Sequence, residues 1–521
     1  MLRTSLYADP QGRFLHDLVL ESANRFADKT ALIDTSCGRR ISYGEYGEIV
    51  RSLARGFVAS GLKPGEVVAI YLPNCWEFCA AYHAATLAGG IPTLLNPSYR
   101  EREVRYQLEN SDTALLVSDG PNLGGINLKG IPKLRRVYTT RQTSGGSPFA
   151  ELLKGTASLP QPEQSSEQTI AALPYSSGTT GLPKGVMLSH FNLVANIFQV
   201  IAPHGASFVH EDVLLCFLPL YHIYGLNVLL NPMLALGATM LLIPRFNLPE
   251  IEALVPQEGV TTMPTVPPAL NALCQAAEVG QFSSHGTVRW VKSGAAPLAP
   301  ELARRFTSLT GILICQGYGM TEASPVTHLG YLDPDLYKPD SIGQPVAKTD
   351  CRIIDANNNE VGPDEPGELV MRGPQFMLGY WKEPQATQAV LRDGWYWSGD
   401  IATRDESDFY RIVDRRKEMI KYKGFPVAPA EVEGVILEHP AVRECGVVGR
   451  PDAAAGEIPV AFVALRDSAV ACDHLKDEIC AFVADRLTNY KQPREVRFIE
   501  AVPKTPSGKI LRRELRKEFG S

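Results

Sequence analysis

The sequence is short of the features that would take it out of the ordinary globular classes. Ten cysteines in 521 residues are too sparse for a disulfide framework, and the closest pair, Cys75 and Cys79, has helical i,i+4 spacing without a nearby histidine. Reduced, mostly buried thiols in a cytoplasmic protein are expected. There is no lysine- or arginine-rich block, and a net charge of -6 with 21% charged residues offers no footprint for nucleic acid. The start "MLRTSLYADPQGRF" lacks an apolar signal region, and the end "RKEFGS" is neither a prenylation box nor a peroxisomal tripeptide, so neither export nor anchoring is expected. No Asp, Glu, Lys or Arg occurs between Asp212 and Arg245, yet Pro219, His222, Asn227, Asn231, Pro232 and Gly237 break that stretch into pieces too short to cross a membrane.

What is present is a chain too long for one core, with 45% hydrophobic residues arranged in a repeating rhythm. "VVAIYL", "CWEFCAAYHAATLAGG", "IPTLLNP" and "TALLVSD" read as strand, helix, strand, strand; "VLLCFLPL", "GLNVLLNPMLAL" and "ATMLLIP" repeat strand, helix, strand. Continuous apolar strands of this kind belong to sheets covered on both faces, so a parallel, layered α/β architecture is predicted through about residue 330. From Ser341, short runs such as "CRIID" and "GELVMRG" predict a small β-rich subdomain. After the charged connector at Asp414 to Glu418, "ECGVVG", "PVAFVAL" and "DHLKDEICAFVADRL" predict a separate α+β unit. The expected division is a large N-terminal domain of packed α/β subdomains over 1–414 and a small mobile domain over 415–521.

The stretch "YSSGTTGLPKGV", residues 175–186, concentrates phosphate-binding chemistry. Its glycines, Gly178, Gly181 and Gly185, allow close backbone approach; Ser176, Ser177, Thr179 and Thr180 add hydroxyl donors, and Lys184 a cation. Pro183 directly before Lys184 excludes the Walker A spacing. Downstream, in order, come "LPLYHIYG", "VKSGAAPL", "QGYGMTEASP", "GWYWSGD", "VDRRKEMIKYKGF" and "PKTPSGKILRREL".

With these seven motifs the sequence resembles the adenylate-forming superfamily of acyl-CoA synthetases, 4-coumarate:CoA ligases, firefly luciferases and peptide-synthetase adenylation domains. The resemblance implies an acid–thiol ligase: a carboxylic acid attacks ATP to give acyl-AMP and pyrophosphate, and CoA then displaces AMP as a thioester. No covalent enzyme intermediate is involved, so catalysis would rest on positioning and charge stabilisation. The implied cofactors are ATP, Mg²⁺ and CoA. The loop from Ser176 to Thr180 with Lys184 would hold the phosphates that leave. Thr321 would meet the α-phosphate and Glu322 would hold Mg²⁺, a hard cation that takes oxygen ligands. Tyr318, beside Gln316 and Gly317, would lie against adenine, with Ala295 in the same nucleotide site. Asp400 would accept the ribose hydroxyls, and Arg415 would approach the ribose from the hinge side.

The small domain carries two sets of implied roles. Lys509 would bridge carboxylate and α-phosphate during adenylation, where a compact ammonium suits the developing charge. Lys417 would mark the hinge; Lys421 would meet AMP, and Lys423 and Gly424 would border the CoA path together with Arg245. Pro426 stands where the plant ligases resemble "KGFQV". Lys509, Thr321, Lys421 and His222 are the catalytic candidates. His222, Tyr224, Gly225, Lys292, Pro325 and Val326 are expected to line the acid pocket, with Thr327 altering its floor and a larger residue at Gly225 filling the slot. "YHIYGLN" lacks the aspartate that would pair with an amino group, which disfavours an α-amino acid. An aryl or medium- to long-chain acid is expected, with a carrier protein as alternative acceptor and a nucleotide-binding pseudoenzyme as a third reading.

Overall fold

The computed structural model describes residues 9–141, 145–176, 182–202, 208–423, 425–452, 455–467, 469–505 and 508–519. The loop residues Ser177, Gly178, Thr179, Thr180 and Gly181, and Gly424 of the C-terminal hairpin, lie outside that description.

The apolar runs fold as their pattern predicts. Val67–Tyr71, Ile91–Leu94, Thr113–Ser118, Arg136–Thr139 and Ser147–Pro148 form one all-parallel sheet, with the helix Trp76–Leu87 between its first two strands. Thr239–Leu242 lies between Val213–Cys216 and Thr30–Asp34, parallel to both, and Arg39–Ser42 pairs antiparallel with Thr30–Asp34 at the edge. Thr262 bridges Leu214 to Trp290. A further sheet, Val291–Ser293, Ile314–Gly319, Val326–Leu329 and Gln344–Pro345, therefore continues beside the second.

The helix expected over "GLNVLLNPMLAL" has two parts, a π-helical segment Gly225–Leu230 and an α-helix Asn231–Leu236. Asn231 N–H donates to Leu226 O, five residues back. Pro232 has no N–H for the ordinary ladder, so the wider turn falls where the α pattern is already interrupted.

Lys184–Ser189 pairs with Ile170–Ala172, Tyr175–Ser176 and Gly379–Tyr380. It leads into the helix His190–Ile201, capped by Ser189 and Asn192 in a reciprocal box. The β-rich subdomain is an antiparallel sheet of Asp350–Ile354, Gly367–Arg372, Leu391–Arg392, Trp395–Arg404 and Tyr410–Arg415. The long antiparallel pair Val442–Asp452 and Gly456–Leu465 centres the last sheet, packed by Pro429–Leu437, Asp473–Ala484 and Arg512–Lys517. One large apolar cluster runs from Leu15 to Tyr410; separate clusters begin at Ile420 and at Val448. Among the described residues no helix is long and apolar enough to cross a membrane.

Candidate active site

Antiparallel pairing sets Tyr175–Ser176 and Lys184–Ser189 side by side and brings Gly379–Tyr380 against the second of them. Lys184 is the Cα partner of Ser176, and Val186 that of Tyr380. Ser176 Oγ donates to Glu322 Oε1 at 3.2 Å, and Tyr380 OH donates to the same oxygen at 2.7 Å. Lys184 Nζ stands 5.3 Å from the centre of the Tyr380 ring. Tyr380 is a site residue that no motif singled out; its only signal was an aromatic inside "GYW", and pairing across the sheet delivers it. Glu322 is buried, yet Oε2 accepts no hydrogen bond among the described residues. No cluster of three or more metal-ligating side chains occurs among them either. A single free carboxylate oxygen beside Ser176 fits a cation that draws its other ligands from phosphate and water.

Thr321 starts the short helical turn Thr321–Ala323, and the backbone on either side is tightly packed. A Cβ on Gly319 would lie 2.0 Å from Pro325 O, so only glycine admits that approach. Asn196 grips Val326 like a neighbouring strand: it accepts from Val326 N at 3.0 Å and donates to Val326 O at 2.8 Å.

Asp400 ends "WYWSGD" on the strand Trp395–Arg404, buried and facing Arg415 across the ladder. Its Oδ2 accepts from Tyr318 OH. Oδ1 lies 3.1 Å from Arg415 Nε without hydrogen-bond alignment, so it retains accepting capacity for a further donor. Gln316 is engaged locally, accepting from Leu298 N and donating to Pro339 O. Ala295 is exposed with φ 67°, a left-handed backbone that turns the segment after the strand Val291–Ser293.

Lys509 reaches this cluster from the last motif. Thr505 N donates to Lys509 O and Lys509 N to Thr505 Oγ1, closing a tight loop, and a Cβ on Gly508 would touch Pro268 at 2.9 Å. Burial, then the charge of Arg415, holds the Lys509 ammonium down to about 8, with Asp400 and Glu418 opposing. His222 is lowered to about 4, by burial and then by Lys509. Its Nδ1 accepts from Tyr224 N at 3.2 Å, which assigns the ring proton to Nε2.

Tyr224 OH donates to Lys292 O at 3.3 Å, and burial lowers the Lys292 pKa. Gly225 is corrected. A Cβ there would lie 2.3 Å from Pro219 O, so a larger residue strikes the backbone of Pro219 and Leu220 instead of filling a slot. Thr327 is fully buried, with its hydroxyl turned to Tyr318 O and His328. Lys417, Lys421, Lys423 and Arg245 are exposed, and none has a hydrogen bond or ion pair into the Asp400–Lys509 cluster. Pro426, on the edge strand of the hairpin, is the Cα partner of Lys421. Lys421 N–H points the other way, to Glu457 Oε2, so this edge position needs no N–H from residue 426.

Residues 19–381 match the family model described as AMP-binding enzyme, and residues 431–509 that of the AMP-binding enzyme C-terminal domain. The chain is 37% identical to 4-coumarate–CoA ligase 1 of Arabidopsis thaliana, over 98% of this chain and 94% of that protein. Among solved structures it is similar to ATP-bound MatB from Rhodopseudomonas palustris, with TM-score 0.87 and 27% identity over 97% of this chain and 99% of that one. It is also similar to o-succinylbenzoate CoA synthetase from Bacillus subtilis in complex with its acyl-adenylate intermediate, with TM-score 0.82 and 27% identity over 96% and 97%. The motif order, the two-part architecture and these matches agree: the chain belongs to the AMP-binding enzyme family, the adenylate-forming acid–CoA ligases.

Proposed function

We propose that this enzyme activates an aryl or medium- to long-chain carboxylic acid with ATP and transfers the acyl group to CoA. The observation that carries the proposal is the convergence of Lys509, Arg415, Asp400 and His222 at one place, with Arg415 also within electrostatic reach of Glu322. In the first step a carboxylate oxygen attacks the α-phosphorus, and the bond to the bridging oxygen breaks so that pyrophosphate leaves with the electron pair. Lys509 and Thr321 stabilise charge on the α-phosphate oxygens, while Ser176, Lys184 and residues 177–180 hold the departing phosphates. Asp400, through the accepting capacity left on Oδ1, takes the ribose hydroxyls; Tyr318 walls the adenine with Gln316, Gly317 and Ala295. Glu322 would hold Mg²⁺, which neutralises phosphate charge when bound. Neutral His222 borders the reacting carboxylate without adding an opposing charge.

In the second step the CoA sulfur attacks the acyl carbonyl, loses its proton, and AMP leaves. The small domain, taken from Arg415 onward and hinged at Lys417, would then exchange the Lys509 loop for the Lys421–Lys423 hairpin, with Gly424 and Arg245 along the CoA path. The acid pocket is assigned to Tyr224, Lys292, Pro325, Val326 and the Gly225 backbone. The acid class rests on the names of the similar ligases, and the exclusion of amino acids on the absence of a carboxylate in "YHIYGLN" to meet an ammonium. Measuring CoA-dependent AMP release over a carboxylic-acid panel tests this. Turnover confined to α-amino acids, or to a carrier protein in place of CoA, would overturn it.

A further inference from the structure

Behind Tyr318 lies a polar group that the proposed reaction leaves without a task. Thr327 and His328, on the strand Val326–Leu329, are fully buried, and Cys351 approaches them from the β-rich sheet. Burying an imidazole and a hydroxyl in a core is costly unless their hydrogen bonds are made. One proton assignment makes them all. Tyr318 O can only accept, so the Thr327 hydroxyl donates to it, at 3.4 Å. Thr327 Oγ1 then accepts from His328 Nδ1–H at 3.0 Å, and the bare Nε2 accepts from the Cys351 thiol at 3.7 Å. Burial holds His328 down to about 3, so the ring stays neutral and the direction of this chain is fixed at ordinary pH.

The His328 ring also meets Tyr318 edge-on, 5.7 Å between centroids at 63°, and lies 4.7 Å from Tyr410. His328 and Tyr318 are Cα partners, and the ladder shifts register immediately after, between Tyr318 and Gly319. Such irregularities occur beside functional sites, and the tyrosine just before this one carries its hydroxyl to Asp400.

We propose that Thr327 and His328 are positioning residues for the nucleotide: they hold Tyr318 at its backbone carbonyl and ring, keeping the exposed side of the ring presented to adenine, with Cys351 completing the chain of donors. This rests on the reading of Tyr318 as the adenine wall. Apolar residues of similar shape would fill the same space, so the polar chain is expected to show in nucleotide affinity more than in stability.

The test is calorimetric binding of AMP and, separately, of magnesium pyrophosphate to the full chain and to the Thr327→Val, Thr327→Val/His328→Phe and Tyr318→Ala variants. Loss of one such hydrogen bond should weaken AMP about three- to tenfold in the first two while leaving pyrophosphate affinity unchanged. The double variant removes both partners at similar volume and keeps the test decisive if Thr327→Val alone fails to fold. Unchanged AMP affinity in these two variants, with Tyr318→Ala weakened, overturns the positioning role and spares the adenine wall. Unchanged AMP affinity in Tyr318→Ala overturns the reading of Tyr318 and the inference with it. Parallel loss of AMP and pyrophosphate binding means general loosening and also overturns the inference.

Discussion

Two lysine-bearing segments of the C-terminal region make an instructive contrast. Lys509 projects from a closed loop against Pro268, among Arg415, Asp400 and Glu418, half-buried and with a depressed pKa. Lys421 and Lys423 sit on an exposed hairpin beside Phe425, itself 56% exposed, with the Lys421 backbone N–H donating to Glu457. Residue type is the same and environment opposite. Under the proposed function, the arrangement with Lys509 beside Asp400 and Arg415 is the one suited to adenylation, and the hairpin would need to rotate before it could act.

The contrast is tested most severely at Lys509. Removing one charge-stabilising donor costs ~2.7 to 4 kcal/mol, so Lys509→Ala should lose about a hundred- to a thousandfold in acyl-AMP formation while still converting supplied acyl-AMP to thioester. Equal loss in both half-reactions would erase the distinction. Lys421→Ala should show the reverse bias, about tenfold in the thioester step, as expected for one hydrogen bond to a charged group.

Acidity offers a second separation. Burial and Arg415 lower the folded pKa of Lys509 below that of an unfolded lysine, so the ammonium is present below about 8 and lost as pH rises through it. For the free enzyme, kcat/KM for adenylation should fall about tenfold per unit above that point. Thioester formation from supplied adenylate should lack this limb; an identical limb in both profiles would assign it elsewhere.

Glu322→Gln should raise the Mg²⁺ concentration needed for adenylation a few-fold and leave the second half-reaction alone, since pyrophosphate has already gone. An unaltered Mg²⁺ titration removes Glu322 from the metal site. The smallest effect is expected at Arg416, whose ion pair with Glu368 at 2.8 Å ties the segment proposed as the hinge to the β-rich sheet. The arginine is 65% exposed, so Arg416→Ala should favour the rotated state by less than ~1 kcal/mol, a fivefold change at most in the ratio of the half-reactions.

Much of this was legible in the chain because the signals are local. Continuous apolar runs such as "VVAIYL" announce covered parallel strands, and the ordered motifs mark Ser176, Tyr318, Arg415 and Lys509, which the fold brings to Glu322 and Asp400, while the Lys421–Lys423 hairpin stands apart. What stayed hidden depends on partners distant in sequence. Tyr380 joins Glu322 only through the ladder with Val186, and the burial of Thr327 beside His328 and Cys351 is set by sheet register. Smallness at Gly225 suggested room, but it reflects the close approach of the Pro219 backbone. The π-helical segment falls just before Pro232, a local interruption that an amphipathic pattern does not encode.

The central claim is that the carboxylic acid and ATP react before CoA takes part. Acid-dependent exchange of labelled pyrophosphate into ATP, measured without CoA over aryl, medium- and long-chain acids and α-amino acids, addresses it most directly. Exchange with several aryl or acyl acids, none with amino acids, and its loss in Lys509→Ala is the expected result; no exchange with any carboxylic acid until CoA is added would contradict the claim.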